Sequence, residues 1–319
     1  MEWVFLLSVI LIFVLWLTVY VYSQCFHSPS DRKEDPYAMI KGEQYEALAD
    51  VIIECTRVMD MAPCEDVYVT SFDGLKLHGR YYHTQNNAPT MIVMHGYKGN
   101  ALRDGAGGFA LSRQLGFNVL VPDQRAHARS DGRVITFGIK ERYDCLEWVR
   151  YVNHRFSGET PVVLSGLSMG AATVLMAVDL KLPGNVVGVM ADCPYASPAG
   201  IIRKVCTDRG FPEKLVFPFI GLAARVLGGF SISDSSAVEA VKQAKIPILL
   251  IHGDDDRFVP CDMSRKIADA CVSPVHLEIF PGAGHGLCYM TNADRYEDVA
   301  LQFLQSIPQL TPYLPKGKL

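Results

Sequence analysis

The chain has 319 residues, 49% of them hydrophobic and 20% charged, with a formal net charge of -4. That balance belongs to a globular chain and excludes a disordered or repeat-built one. No long basic run occurs, which argues against nucleic acid as a partner.

Residues 3–22 carry no charge, and their only hydroxyls besides tyrosine are Ser8 and Thr18. As a helix, such a run spans about 30 Å, the thickness of a bilayer core. Trp3, Trp16, Tyr20 and Tyr22 lie toward its ends, as aromatics at a membrane interface do. The start carries Glu2 and no Lys or Arg, and the run is long for a signal peptide. A single transmembrane anchor over 1–24 is therefore expected. Arg32, Lys33 and Lys41 follow the span and no basic residue precedes it. The positive-inside rule then puts the body of the protein in the cytoplasm.

A polar linker follows at 27–36. Between 37 and 60, Tyr45, Leu48, Ile52, Cys55 and Met59 recur at helical spacing, which predicts one amphipathic helix packed on the body. Linker and helix together occupy 25–62. Around Phe72-Asp73-Gly74 the alternating runs 67–71 and 75–82 read as an antiparallel hairpin. Solid apolar runs then appear at 90–94, 118–121, 161–164, 186–191, 246–251 and 276–280. Helical stretches separate them, near 107–115, 140–154, 169–182, 262–270 and 294–306. Strands without polar alternation form a parallel sheet covered on both faces. The stretch 192–244 holds no buried-strand run but many apolar residues, among them Phe211, Phe217 and Ile220. It would emerge at the C-terminal edge of the strands, where open α/β sheets bind ligands, and 193–244 is read as a helical lid. Residues 308–319 read as a tail. The nine cysteines are odd in number, with no C-x-x-C pair and no zinc-finger spacing to histidine. They argue against a disulfide framework and a structural zinc site, and are consistent with a reducing compartment.

Gly166-Leu167-Ser168-Met169-Gly170 lies between an apolar strand run and a strong helix former. G-x-S-x-G in that setting is the sequence form of a nucleophile elbow. The sharp reversal strains the serine, so its neighbours must be small. The hydroxyl is then exposed above a helix N-terminus, whose N–H groups favour a developing oxyanion. A serine hydroxyl needs a base, and the base needs a third group to fix its tautomer. His285, in Gly284-His285-Gly286, follows the run 276–280. Asp254, Asp255 and Asp256 follow the run 246–251, and chemistry alone does not choose among them; the other two could cap the helix near Asp262 or face water. The order serine, acid, histidine is the one this kind of fold uses. His95 and His252 read as structural residues of their turns.

The chain resembles the α/β-hydrolase superfamily across 63–307. The resemblance rests on His95-Gly96-Tyr97-Lys98-Gly99-Asn100, Asp123-Gln124-Arg125, Gly166-Leu167-Ser168-Met169-Gly170, His252-Gly253-Asp254-Asp255-Asp256 with Val259-Pro260, and Gly284-His285-Gly286. It is similar in particular to single-span, membrane-anchored bacterial members of the esterase and serine-peptidase-like branch. The resemblance implies an α/β-hydrolase fold and Asp256, three before Val-Pro, as the acid beside Ser168 and His285. It implies the amides of Met169 and Tyr97 as oxyanion donors. One departure stands out. Relatives often read D-x-R-x-H-G-x-S where this chain has Asp123-Gln124-Arg125-Ala126-His127-Ala128-Arg129-Ser130. A left-handed backbone at Ala128 would be costly, so the loop is expected to bend differently.

The expected protein is a membrane-tethered serine hydrolase acting on esters or thioesters of hydrophobic acyl groups, without metal or organic cofactor. The same residues could serve peptide cleavage or acyl transfer. A non-catalytic binding protein on a hydrolase fold is the other reading, and it has no need of three such groups in order.

Overall fold

In the computed structural model, which describes residues 1–29 and 35–317, the apolar runs pair into one eight-stranded sheet. Helices α1 (Glu2–Cys25), α2 (Glu43–Glu46) and α3 (Ala49–Asp60) come first. The hairpin β1 (Glu65–Thr70) and β2 (Lys76–Tyr82) leads into β3 (Thr90–Met94), α4 (Ala101–Gln114) and β4 (Asn118–Pro122). Next are α5 (Glu141–Arg155), β5 (Val162–Leu167), α6 (Met169–Ala177) and β6 (Val186–Asp192). The insertion holds α7 (Pro198–Asp208), α8 (Glu213–Val226) and α9 (Ala237–Val241). Then follow β7 (Ile248–Gly253), α10 (Asp262–Ala270), β8 (Val275–Phe280), α11 (Cys288–Thr291), α12 (Ala293–Gln305) and a 3-10 helix, Pro308–Tyr313.

The strand order is β1-β2-β4-β3-β5-β6-β7-β8. The pairs β1/β2 and β2/β4 are antiparallel and all others are parallel. Side chains alternate between the faces, as the pleat requires. Met91 and Val93 enter one apolar layer with α3, α4 and α12, while Ile92 and Met94 enter the other with α5, α6, α9 and α10. Leu310, in the segment read as a tail, is fully buried in the first layer.

Three helices depart most from the expectation. Helix α4 begins at Ala101, six residues early, because the Asn100 side chain accepts from the amides of Leu102 and Arg103 (2.9 and 3.2 Å). Its glycines, which weaken the helical signal, let it lie close on the sheet: a Cβ on Gly108 would sit 3.1 Å from Val93. Helix α6 stops at Ala177, short of 182. The amphipathic helix is broken in two, because Leu48 has a non-helical backbone between α2 and α3.

Helix α1 is long and apolar enough to cross a membrane by length and composition. Only Thr18 and Val21 of it are buried, while Trp3, Phe5, Leu7 and Leu11 are exposed. Its C-terminal end is stitched into the domain. Phe26 is fully buried with its ring against Phe137 and Phe230 (5.8 and 5.3 Å between centroids). The Ile135 amide donates to the Phe26 carbonyl (2.8 Å) and the Ser28 amide to that of Arg133 (2.9 Å). Arg32 and Lys33, on which the expected orientation rests, lie outside the described residues.

Candidate active site

Ser168 is the single residue between β5 and α6, with φ 55° and ψ -110°. This left-handed turn needs the two flanking glycines. A Cβ on Gly166 would run into the Gly170 carbonyl, and one on Gly170 into that of Met94. The turn is tied to its neighbour by the Ser168 amide, which donates to the Asp192 carbonyl (2.8 Å).

The hydroxyl Oγ of Ser168 donates to Nε2 of His285 (2.9 Å), and Nδ1 of His285 donates to Oδ2 of Asp256 (2.7 Å). A proton on Nδ1, held by the carboxylate, leaves Nε2 as an acceptor facing the serine. Asp256 is fixed in turn. Its Oδ1 accepts from the amides of Phe258 and Val259 (2.9 and 2.8 Å). Nε2 of His252 lies 3.2 Å from Oδ2 and donates to the Val259 carbonyl (2.8 Å). Burial pushes this carboxyl up, but the hydrogen bonds from His252 and His285 outweigh it and hold Asp256 well below the usual carboxylate range. His252, read from sequence as a turn residue, is therefore also a neighbour of the acid.

The three adjacent aspartates separate cleanly. Asp254 accepts from the Gly282 amide (2.7 Å), and Asp255 faces Arg257 and Gln44. Neither caps α10, whose N-terminus has no side-chain cap. Helix α2 braces both loops: Gln44 donates to Oδ2 of Asp255 (2.6 Å), and the Tyr45 hydroxyl donates to the His285 carbonyl (2.8 Å). Tyr45 figured in the sequence only as one position of an amphipathic pattern. Nothing local pairs it with a loop 240 residues away.

Met169 is the first residue of α6, where backbone N–H groups lack intrahelical acceptors. Tyr97 lies in the loop after β3, beside Ser168 in the same cavity. That loop is held by two histidines. His127 takes the Lys98 amide on Nε2 (3.1 Å) and donates from Nδ1 to the Arg125 carbonyl (2.9 Å). His95 accepts the Gln124 amide on Nε2 (2.9 Å). The loop is also bonded to α1: the Tyr97 hydroxyl donates to the Cys25 carbonyl (2.7 Å), and Nζ of Lys98 to that of Gln24 (3.0 Å). The 126–130 loop does not avoid the left-handed region as expected. Ala126 and Ala128 adopt φ 63° and 42° without glycine.

Two buried groups adjoin the site. Burial pushes the Asp192 carboxyl up to about 6, and its Oδ1 has no hydrogen-bond partner among the described residues. The Cys193 thiol has its ligand atom within 4.8 Å of those of Asp256 and His285. Burial raises this thiol far above its usual range, and both neighbours are engaged in hydrogen bonds, so the donor set suits a metal poorly.

A mostly parallel sheet with serine, acid and histidine on loops at one edge defines an α/β-hydrolase arrangement. The chain belongs to the alpha/beta hydrolase family, whose model matches residues 91–300. It is 24% identical over 244 residues to the protein YqkD of Bacillus subtilis, covering 76% of this chain and 80% of that one. It is 27% identical over 259 residues to YfhR of Salmonella typhimurium, covering 77% and 82%. Among solved structures, it resembles the Pyrococcus furiosus esterase PF2001 (TM-score 0.62, 20% identity, 79% of this chain and 93% of that one). It also resembles Est1E of Butyrivibrio proteoclasticus, solved with ferulic acid (TM-score 0.58, 21% identity, 76% and 98%). At these identities the structural likeness speaks for the fold.

Proposed function

We propose that the chain is a membrane-anchored serine hydrolase that cleaves carboxylic esters or thioesters of hydrophobic acyl groups. The observation that carries the reading is the unbroken hydrogen-bonded series from Ser168 through His285 to Asp256, on a serine in a strained turn that lines a cavity. Ser168 Oγ attacks the carbonyl carbon as His285 Nε2 takes its proton. Asp256, ionised, holds the ring and stabilises the imidazolium. The amides of Met169 and Tyr97 receive the oxyanion, each such donor contributing about 3 kcal/mol in comparable sites. His285 passes the proton to the leaving alcohol or thiol, and water then cleaves the acyl-enzyme by the same route. The apolar helix α1 supports an anchor, with the hydrolase domain proposed to be cytoplasmic. Ser168→Ala should abolish labelling by a fluorophosphonate probe and hydrolysis of p-nitrophenyl esters. Persistent labelling would reject this nucleophile. Labelling without ester or thioester turnover would favour a peptidase or acyltransferase, and inertness in every assay a binding protein.

A further inference from the structure

Ser168 lines two cavities. The larger, about 660 Å³, has mixed walls that include Gln44, Arg103, Asp104 and His285. The smaller, about 260 Å³, shares Ser168, Tyr97 and Phe258 with the first. Its walls are almost wholly apolar, formed by Leu17 and Val21 of α1 and by Ile202, Val205, Val216 and Ile220 of the insertion. Besides Ser168, its polar groups are Gln24, Arg209 and the hydroxyls of Tyr20, Tyr97 and Tyr195. At about 30 Å³, the share of a water molecule in the liquid and close to the size of a methylene, it has room for roughly nine such units. The helix that supplies one wall cannot be regarded as a detached tether. It packs against α8, its end is locked by Phe26, and its last carbonyls accept from Tyr97 and Lys98. On α8, Leu215, Leu222 and Val226 are exposed at spacings of seven and four, which puts them on one helical face. The cavity thus lies among α1, α7 and α8, and α1 and α8 also expose apolar side chains on their outer faces.

We propose that the smaller cavity is the acyl chamber and that the last turns of α1 form its wall. The membrane helix would then measure the substrate's fatty acyl chain, with decanoyl groups filling the space. This rests on the serine-hydrolase reading. The acyl carbon bonds to Ser168 Oγ as its bond to the alcohol or thiol breaks. The acyl chain occupies the apolar chamber, and the leaving group takes the serine proton from His285 and departs through the larger cavity.

The test uses the full chain in phosphatidylcholine vesicles with p-nitrophenyl esters from acetate to myristate. Val21→Trp fills the chamber and should lower kcat/KM for decanoate at least tenfold relative to acetate. Val21→Ala enlarges it and should move the optimum to longer chains, a gain that misfolding cannot produce. Leu7→Trp, on the exposed part of α1, should leave the profile in place. A profile unchanged in both Val21 variants overturns the chamber. A decanoyl group can come from the bilayer or from water, so monodecanoylglycerol set in the vesicles is compared with a water-borne decanoyl thioester. Turnover of either supports the chamber and the faster names the source. Turnover of neither, with acetate still cleaved, overturns it. Fluorophosphonate labelling separates the two failures. If the unmodified chain neither labels nor hydrolyses any ester, the serine-hydrolase reading falls and takes the chamber with it. If it labels and hydrolyses but the profile ignores Val21, the chamber alone falls.

Discussion

Two regions meet at Ser168, and they are built on different terms. On the sheet edge, each loop is specified by a few consecutive residues: glycines around Ser168, three aspartates before Val259, glycines around His285. On the other side, α1 and the insertion make a wall from residues nearly 200 positions apart, with no motif in either. Local specification is the cheaper route to a sub-ångström geometry, because neighbouring amides such as those of Phe258 and Val259 can fix a side chain directly. A wall needs only apolar volume, which many sequences supply.

The largest effect should come from breaking the locally written region. Asp256→Asn keeps the shape but offers the wrong group to Nδ1, so His285 loses its tautomer control. We expect kcat to fall by about 10³–10⁴-fold on the proposed ester substrates. The near-UV circular dichroism should be unchanged. A loss under tenfold would remove Asp256 from the proposed role.

Asp192 lies where the edge passes into the insertion, and its carboxyl has the opposite tendency to that of Asp256. Burial raises it to about 6 in the folded chain, against about 4 when unfolded. The folded state therefore keeps a proton that the unfolded state has already released. Stability is full below the unfolded pKa and falls as pH rises toward 6. Asp192→Asn carries no such penalty. Its stability relative to the parent should grow by roughly 1 to 2 kcal/mol from pH 5 to pH 8. Thermal unfolding in detergent at the two pH values checks this, and an equal difference at both would refute it.

The link between the regions is sharpened by Tyr97→Phe, which deletes the bond to the Cys25 carbonyl and keeps the ring stacked on Phe137. One neutral hydrogen bond is worth about 1 kcal/mol. We expect kcat to drop about fivefold with the KM for short esters little changed. If kcat does not move, the end of α1 does not steady the proposed oxyanion loop.

The same contrast explains what could be read in advance. Which segments become strands follows from apolar runs, and the loops carrying Ser168 and His285 show through glycine spacing, because those signals are local; the order of the strands in the sheet is not. The bracing by Gln44 and Tyr45, the burial of Phe26 and the bonds from Tyr97 and Lys98 to α1 are all long-range. A pattern of side chains along 37–60 shows a helical face but not which loop it supports. Phe26 falls in the segment 25–62 read as linker and helix, and nothing there shows its burial, since its partners Phe137 and Phe230 lie far along the chain. Glycines misled at α4, where close packing on Val93 mattered more than helix propensity.

The smallest effect concerns strain. Ser168 and Ala128 both adopt positive φ, at 55° and 42°, but only the first presents a functional group there. An L-residue in this region costs roughly 1 to 2 kcal/mol. Glycine removes that cost but loses more chain entropy on folding, about 0.5 to 1 kcal/mol. Ala128 is half-buried, so deleting its methyl leaves little cavity. Ala128→Gly should therefore stabilise the protein by about 0.5 to 1 kcal/mol with the proposed ester turnover unchanged, whereas Ser168→Gly also relieves a positive-φ strain but forfeits the proposed nucleophile. A raised melting temperature in both variants, with activity lost in only one, would show that strain at the serine serves geometry and strain at the alanine serves nothing the site uses. A destabilised Ala128→Gly would mean that contacts of its methyl group outweigh the backbone cost.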